Sequence, residues 1–153
     1  MVRNNFGERL DDFIARTFHL ILRAEERSIK ESGKPDLSIS EIHLIVAVSL
    51  SQHAKITVGD LATSLQVTSP TATAAINRLQ AKGYLERVTA THDTRKVYVT
   101  LTEQGEAAVK RHELFHQRMV DAILCNFTLQ EKDILLRGVA KLNEFFADIG
   151  KAY

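Results

Sequence analysis

The sequence predicts a mostly α-helical chain with one small β-hairpin, and three observations carry that expectation. Apolar residues recur at helical spacing along most of the chain, and the spacing turns to alternation only after Gly83. Hydroxyl residues open several segments with an acid three positions on, as in Ser38-Ile-Ser-Glu41, Thr57-Val-Gly-Asp60 and Thr128-Leu-Gln-Glu131, the spacing of a helix capping box. The alternating stretch itself is two runs, residues 84–89 and 96–100, joined by a polar loop, as in an antiparallel hairpin.

Residues 5 to about 30 read as a long helix, with Leu10, Phe13, Ile14, Phe18, Ile21 and Leu22 along one side. Asp11 and Asp12 near its start and Arg27 and Lys30 near its end suit the helix dipole. Gly33 and Pro35 mark a turn. The next helix, about 40–51, carries Ile42, Leu44, Ile45, Val46, Val48 and Leu50, an apolar set that goes nearly all the way round. Such a helix belongs inside the domain.

Two short helices then follow in close succession. Thr57 and Asp60 open the first, whose apolar side is Leu61, Ala62 and Leu65. Thr68-Ser69-Pro70 opens the second, about 70–82; either hydroxyl can cap it, and proline suits the first helical position. Ala72, Ala75, Ile76 and Leu79 face inward, which leaves Thr71, Thr73, Asn77 and Arg78 on or beside the outer face. Gly83 supplies a left-handed C-terminal position. Two helices and a charged hairpin in this order form a winged helix-turn-helix, whose second helix can enter a major groove while its wing reaches the minor groove. Asp93, two residues before Arg95 at the hairpin tip, has no evident folding role; holding an arginine toward a phosphate or groove gives it one. The candidate DNA-contacting set is therefore Thr68, Ser69, Thr71, Thr73, Asn77, Arg78, Asp93, Arg95 and Lys96.

Beyond the wing, Thr102 and Glu103 start a long helix to about residue 124, with Val109, Phe115, Met119, Val120 and Ile123 on its apolar stripe. Thr128 opens a last helix carrying Ile134, Leu135, Val139, Leu142, Phe145, Phe146 and Ile149. The apolar faces at both ends exceed what one small DNA-binding unit can cover. We expect a dimerisation bundle with Phe6, Leu10, Phe13, Leu142, Phe145 and Phe146 at its core. The chain is read as a single domain over residues 1–153, with helices of residues 1–36 and 103–153 for dimerisation and residues 38–101 as the winged helix-turn-helix.

The order of parts resembles the MarR family of bacterial transcription regulators over nearly the whole chain. The resemblance rests on Leu61-Ala62, Ser69-Pro70-Thr71, Asn77-Arg78-Leu79, Lys82-Gly83-Tyr84-Leu85-Glu86-Arg87, Asp93-Thr94-Arg95-Lys96 and Leu101-Thr102-Glu103-Gln104-Gly105, in that order. It implies a homodimeric regulator, usually a repressor, on a pseudo-palindromic double-stranded DNA operator.

Bulk properties agree. The 153 residues suit one compact domain, with 44% hydrophobic and 25% charged residues. Net charge is only +1, but residues 55–100 hold six basic and three acidic residues, a local +3, against −2 elsewhere. No apolar run approaches the ~20 residues of a membrane span, so no membrane partner is expected. No apolar signal-peptide core follows Met1, and a cytoplasmic location is expected. There is no Walker loop, dinucleotide glycine pattern, Gly-x-Ser-x-Gly or His-Glu-x-x-His, and Glu25 and Glu26 diverge by about 100° on their helix. Neither an enzyme nor a cofactor is expected.

Two further resemblances bear on an effector. Ile39-Ser-Glu-Ile-His43 together with His112-Glu-Leu-Phe-His-Gln-Arg-Met119 is similar to the FabT-type regulators of fatty-acid synthesis. That implies a response to acyl chains carried on acyl carrier protein, or to another small apolar effector. The expected effector-binding residues are Phe18, Leu22, His43, Phe115 and Met119, with Ile45 near them. Zinc-sensing members draw ligands from the same helices, and His43, His112 and His116 are the candidate ligands here. Those members carry a Glu-His pair where this chain reads Glu41-Ile42; the histidine falls one residue later, a rotation of about 100° on a helix. No resident metal is therefore expected, and the histidines read as cavity or surface residues. The single cysteine, Cys125, reads as an apolar filler with no basic neighbour to activate it. Two alternatives stay open: a zinc-responsive regulator, and a protein-interaction module that kept the fold and lost DNA binding.

Overall fold

The computed structural model describes residues 5–31, 36–51, 55–89 and 96–152, with the side chains of 5 and 149–152 excepted. Six helices and three strands appear in the order α1 (Asn5–Glu31), α2 (Ile39–Ser49), β1 (Ile56–Thr57), α3 (Val58–Ser64), α4 (Ser69–Ala81), β2 (Leu85–Thr89), β3 (Val97–Leu101), α5 (Glu103–Leu124) and α6 (Leu129–Ala152). They form two compact units, residues 1–115 and 116–153.

In the first unit α2 is the central helix. Its Ile42, Leu44, Ile45 and Val48 are buried among Leu61, Ile76, Leu79, Tyr84, Leu85 and Val99. The all-round apolar character expected of α2 is thus satisfied, except at Leu50, its C-cap, which is 79% exposed among the described residues. Ser38 caps α2 with both halves of a capping box: its hydroxyl accepts from the Glu41 amide, and its own amide donates to the Glu41 carboxylate.

The sheet has three strands rather than two, in the order β1-β3-β2, all antiparallel neighbours. The hairpin register pairs Arg87 with Val99 and Thr89 with Val97. Strand β1 is only two residues long, too short for alternation to reveal it, and it pairs Ile56 with Val99. Tyr84, expected at the start of a strand, instead precedes β2 with its ring fully buried. Gly83 has the left-handed backbone its position required, with φ +80°. Gln66 takes a similar conformation at φ 53°, where the chain turns from α3 toward α4.

Helix α5 is stitched to the α4–β2 corner. The Thr102 amide and hydroxyl donate to the Tyr84 and Gly83 carbonyls, at 3.2 and 2.7 Å, and the same hydroxyl accepts from the Gly105 amide at 3.1 Å. Gly105 is pressed against this corner, and a Cβ there would lie 2.2 Å from the Tyr84 carbonyl oxygen.

The second unit holds the end of α5 and all of α6. Thr128 and Glu131 form a further capping box, with the Thr128 amide donating to the Glu131 carboxylate at 2.8 Å. Leu129, Ile134, Leu136, Val139, Leu142, Phe145 and Phe146 are all exposed along α6. On α1, Phe6, Leu10, Phe13 and Phe18 are exposed as well. Apolar side chains at this density on open helices mark an interaction surface. Cys125 is exposed too, its thiol donating to the Ala122 carbonyl at 3.1 Å, so the expected apolar filler is corrected. It lies just past the end of α5.

Gly105→Ala should destabilise by about 1–3 kcal/mol, since relief requires moving backbone rather than a flexible side chain. Gly59→Ala, whose methyl would meet only Thr57 Oγ1 at 3.9 Å, should be neutral or stabilising. Paired thermal melts measure both; equal melting points would show that the α5 start does not press on the Tyr84 carbonyl.

Candidate nucleic-acid interface and effector cleft

Helix α4 buries Ala72, Ile76 and Leu79 on the core, and this fixes which residues look outward. Ser69, Thr71, Asn77 and Arg78 are exposed along the outer side, with Thr73 half-buried at its margin. Of the two candidate caps the structure selects Thr68, whose hydroxyl accepts from the Thr71 amide and shares a 2.8 Å hydrogen bond with the Thr71 hydroxyl. Thr73 turns its hydroxyl onto the Ser69 carbonyl at 2.8 Å. Thr68 and Thr73 are thus engaged in helix structure, whereas Ser69, Asn77 and Arg78 present their polar ends to solvent. Lys96 is exposed at the foot of β3. Asp93 and Arg95 lie outside the described residues.

Charge on this face is smaller than a count of residues suggests. Lys82 turns inward and donates to both Glu41 carboxylate oxygens at 2.9 Å, and Arg87 donates to the Gln80 side chain at 2.9 Å. Arg78 keeps its exposure, with Nε 4.0 Å from Glu41. Burial alone would raise the Glu41 carboxyl, but Lys82 and the Ser38 amide and hydroxyl outweigh it, holding the group below its usual range. Burial also pushes the Tyr84 phenol up, and this hydroxyl donates to the Asp36 carboxylate at 3.0 Å.

Behind this face, still in the first unit, lies a small cleft of about 40 Å³ lined by Glu25, Ile29, Leu37, Ile42, His112 and Phe115, with Ser28, Ala108 and Arg111 completing it. Glu25 is only 4% exposed and stands between two imidazoles: His43 Nε2 at 3.5 Å and His112 Nε2 at 3.7 Å. The two rings meet edge-on with centroids 5.7 Å apart. The one-residue offset of His43 therefore does not carry it away from the acid of α1. His116 lies one turn beyond His112 on α5 and belongs to the second unit.

Of the expected effector residues, Phe115 lines this cleft and His43 reaches it through Glu25. Phe18 is exposed and Leu22 half-buried on α1, and Met119 belongs to the second unit. Ile29, Leu37, Ile42 and Arg111 were not singled out by sequence reasoning. Leu37 and Ile42 flank the Ser38 capping box at the positions of a hydrophobic staple, and that signal could have found them.

Comparison with known proteins places this geometry. A family model described as MarR family matches residues 36–96. The multiple antibiotic resistance protein MarR of Escherichia coli is 30% identical over 119 residues, covering 77% of this chain and 82% of that protein. The chain belongs to the MarR family of transcriptional regulators. An uncharacterised regulator of Bacillus subtilis, YwhA, is also 30% identical, over 60% of this chain and 66% of its own length. Among solved structures, Streptococcus pneumoniae FabT in complex with DNA superposes with a TM-score of 0.86 at 30% identity, covering 93% of this chain and 98% of that one. The winged helix read from the sequence is thus the fold of this MarR-family chain, and its relatives are regulators rather than enzymes.

The Glu41 geometry carries a pH dependence. Because its folded carboxyl is held below the usual value of 4.5, ionised Glu41 contributes stability above that value, and the contribution is lost as pH falls through the folded pKa. Wild type should exceed Glu41→Gln in stability at neutral pH, and urea melts should show the gap narrowing as pH falls below 4.5. A gap independent of pH would show that Glu41 is not held ionised.

Proposed function

We propose that the protein is a homodimeric, sequence-specific repressor on a pseudo-palindromic operator. The observation that carries this reading is the outer side of α4, where Ser69, Thr71, Asn77 and Arg78 stand exposed on a helix whose other side is locked into the core. The helix is anchored on one side and polar and exposed on the other, as a major groove requires. The likeness to a FabT solved with DNA supports the same use. Short side chains near the α4 start allow close approach, and Asn77 and Arg78 can reach base edges or flanking phosphates. Arg95 at the wing tip would enter or skirt a minor groove, held by Asp93.

Dimerisation accounts for the open apolar faces. Phe6 is 70% exposed, Phe13 65%, Phe145 58% and Phe146 55%. A second copy covering these residues, with Leu10 and Leu142, would set two α4 helices about 34–36 Å apart for successive major grooves. An interaction module without DNA binding would leave the likeness to a FabT solved with DNA unused.

Two effector chemistries bear on the cleft. An acyl chain, delivered on acyl carrier protein, is supported by the likeness to FabT and by the apolar Ile29, Leu37, Ile42 and Phe115. At about 40 Å³ the cleft is far below the roughly 300–1,000 Å³ of small-molecule sites, so a chain enters only by parting these walls. The second reading is zinc. It is favoured by Glu25, a buried carboxylate with an imidazole nitrogen on each side, His43 Nε2 at 3.5 Å and His112 Nε2 at 3.7 Å, residue types that ligate zinc. When bound, such an ion would draw α1, α2 and α5 together through these three side chains.

Purified protein should retard duplexes from its own upstream region that contain an inverted repeat, at modest salt and without effector. No shift on any such sequence would sink the repressor reading. Substituting Thr71 or Asn77 should alter base preference by about 1–3 kcal/mol at a directly read position. Arg95→Ala should weaken operator and scrambled DNA alike, with the salt slope reduced by about one. An unchanged slope would make the wing a purely structural hairpin. Titrating long-chain acyl carrier protein and zinc separately into the complex distinguishes the effectors; a response to zinc alone, abolished by His43→Ala, selects the second.

A further inference from the structure

Helix α4 ends on a cation that does not share the helix's outward face. The Lys82 ammonium has three N–H donors, and the structure supplies three acceptors: both Glu41 carboxylate oxygens and the Asp36 backbone carbonyl. These partners turn the ammonium toward residues 36–41, while its side chain keeps 30% exposure. Two residues further on, the buried Tyr84 donates its hydroxyl to the Asp36 carboxylate at 3.0 Å. The α4–β2 corner is thereby clasped to residues 36–41 from both sides. Glu41 is only 8% exposed, so its charge stays ionised through this partner.

The clasped segment is also a wall of the cleft. Leu37 lies between Asp36 and the Ser38 cap, and Ile42 follows Glu41; both line the cleft with Glu25, Ile29, His112 and Phe115. The segment that holds the end of α4 is therefore the one an occupant of the cleft would press on.

We propose that Lys82 is a positioning residue for operator recognition: through Glu41 and Asp36 it sets the placement of α4 and ties that placement to the cleft wall, without contacting DNA. The inference rests on the operator-binding reading above and adds to it the route by which the cleft acts on the recognition helix. Coupling of this kind moves as a pair: removing one partner leaves the other charge buried and unpaired, whereas removing both does not.

The test compares wild type, Lys82→Met, Glu41→Gln and the double variant, all well below their melting temperatures. Operator affinity is measured across a salt series, and amide exchange of residues 76–84 is measured without DNA. We expect Lys82→Met to weaken operator binding by about three- to thirty-fold, with the salt slope unchanged and faster exchange at the end of α4. The double variant should lose less than the product of the single losses. A slope reduced by about one, with exchange unaltered, would make Lys82 a phosphate contact and overturn the proposal. Unchanged affinity and exchange would overturn it as well, leaving an ordinary ion pair. Should Lys82→Met not fold, Glu41→Gln, which keeps an oxygen for the Ser38 cap, carries the same comparison. Failure of the operator-binding reading is seen separately, as a wild type that binds no duplex, and the exchange measurement still decides whether the clasp holds α4.

Discussion

A carboxylate buried at the start of the central helix must be given a positive partner, and much of the first unit's geometry follows from where that partner comes from. Glu41 completes the Ser38 capping box and is nearly enclosed by the core, so leaving it unpaired would cost several kcal/mol. Lys82 supplies the charge from the end of α4, on the far side of the core in sequence. One contact therefore joins the best-packed helix of the unit to the helix that presents its polar face to solvent. Tyr84 and Thr102 extend the join, one to Asp36 and the other to the start of α5. The end of α4 is thus held at this corner, beside the exposed residues proposed to read DNA.

Division of labour along α4 follows from its two sides. Ala72, Ile76 and Leu79 anchor it, while small or hydroxyl side chains at its start keep the outer surface low enough for close approach. Thr68 and Thr73 serve the helix itself, through the cap and the bond to the Ser69 carbonyl. Thr71 is exposed but shares its hydroxyl with Thr68, so Ser69, Asn77 and Arg78 keep open polar ends on the outer side, with less net charge than the residue count of the segment implies. In the proposed operator complex, sequence readout leans on hydrogen-bonding geometry, and electrostatic attraction falls more heavily on Arg78, Lys96 and the wing.

Much of the fold was legible because its signals are local. Capping boxes at Ser38 and Thr128, the Thr68-Ser69-Pro70 start and Gly83 each mark a boundary within a residue or two of the observed one. The strand β1 was not legible, since two residues show no period and its pairing with β3 spans more than forty residues. The same limit hid the Lys82–Glu41 contact: each residue reads as an ordinary surface charge until the chain folds. The approach of His43 to Glu25 was not legible either, since the one-residue offset from the zinc-sensor pattern fixes a direction on α2 alone. Only the folded chain brings Glu25, His43 and His112 within 3.5–3.7 Å of one another in pairs with the acid. Conversely, the apolar faces of α1 and α6 were plain in the sequence, and the isolated chain leaves them open.

The central claim is that the outer side of α4 reads DNA. Hydrogen–deuterium exchange of the protein, free and bound to its operator duplex, tests it most directly. The account predicts new protection concentrated in residues 68–78 and in the hairpin, with the core of α2 unchanged. Duplex binding that left residues 68–78 as exchangeable as in the free protein would contradict it.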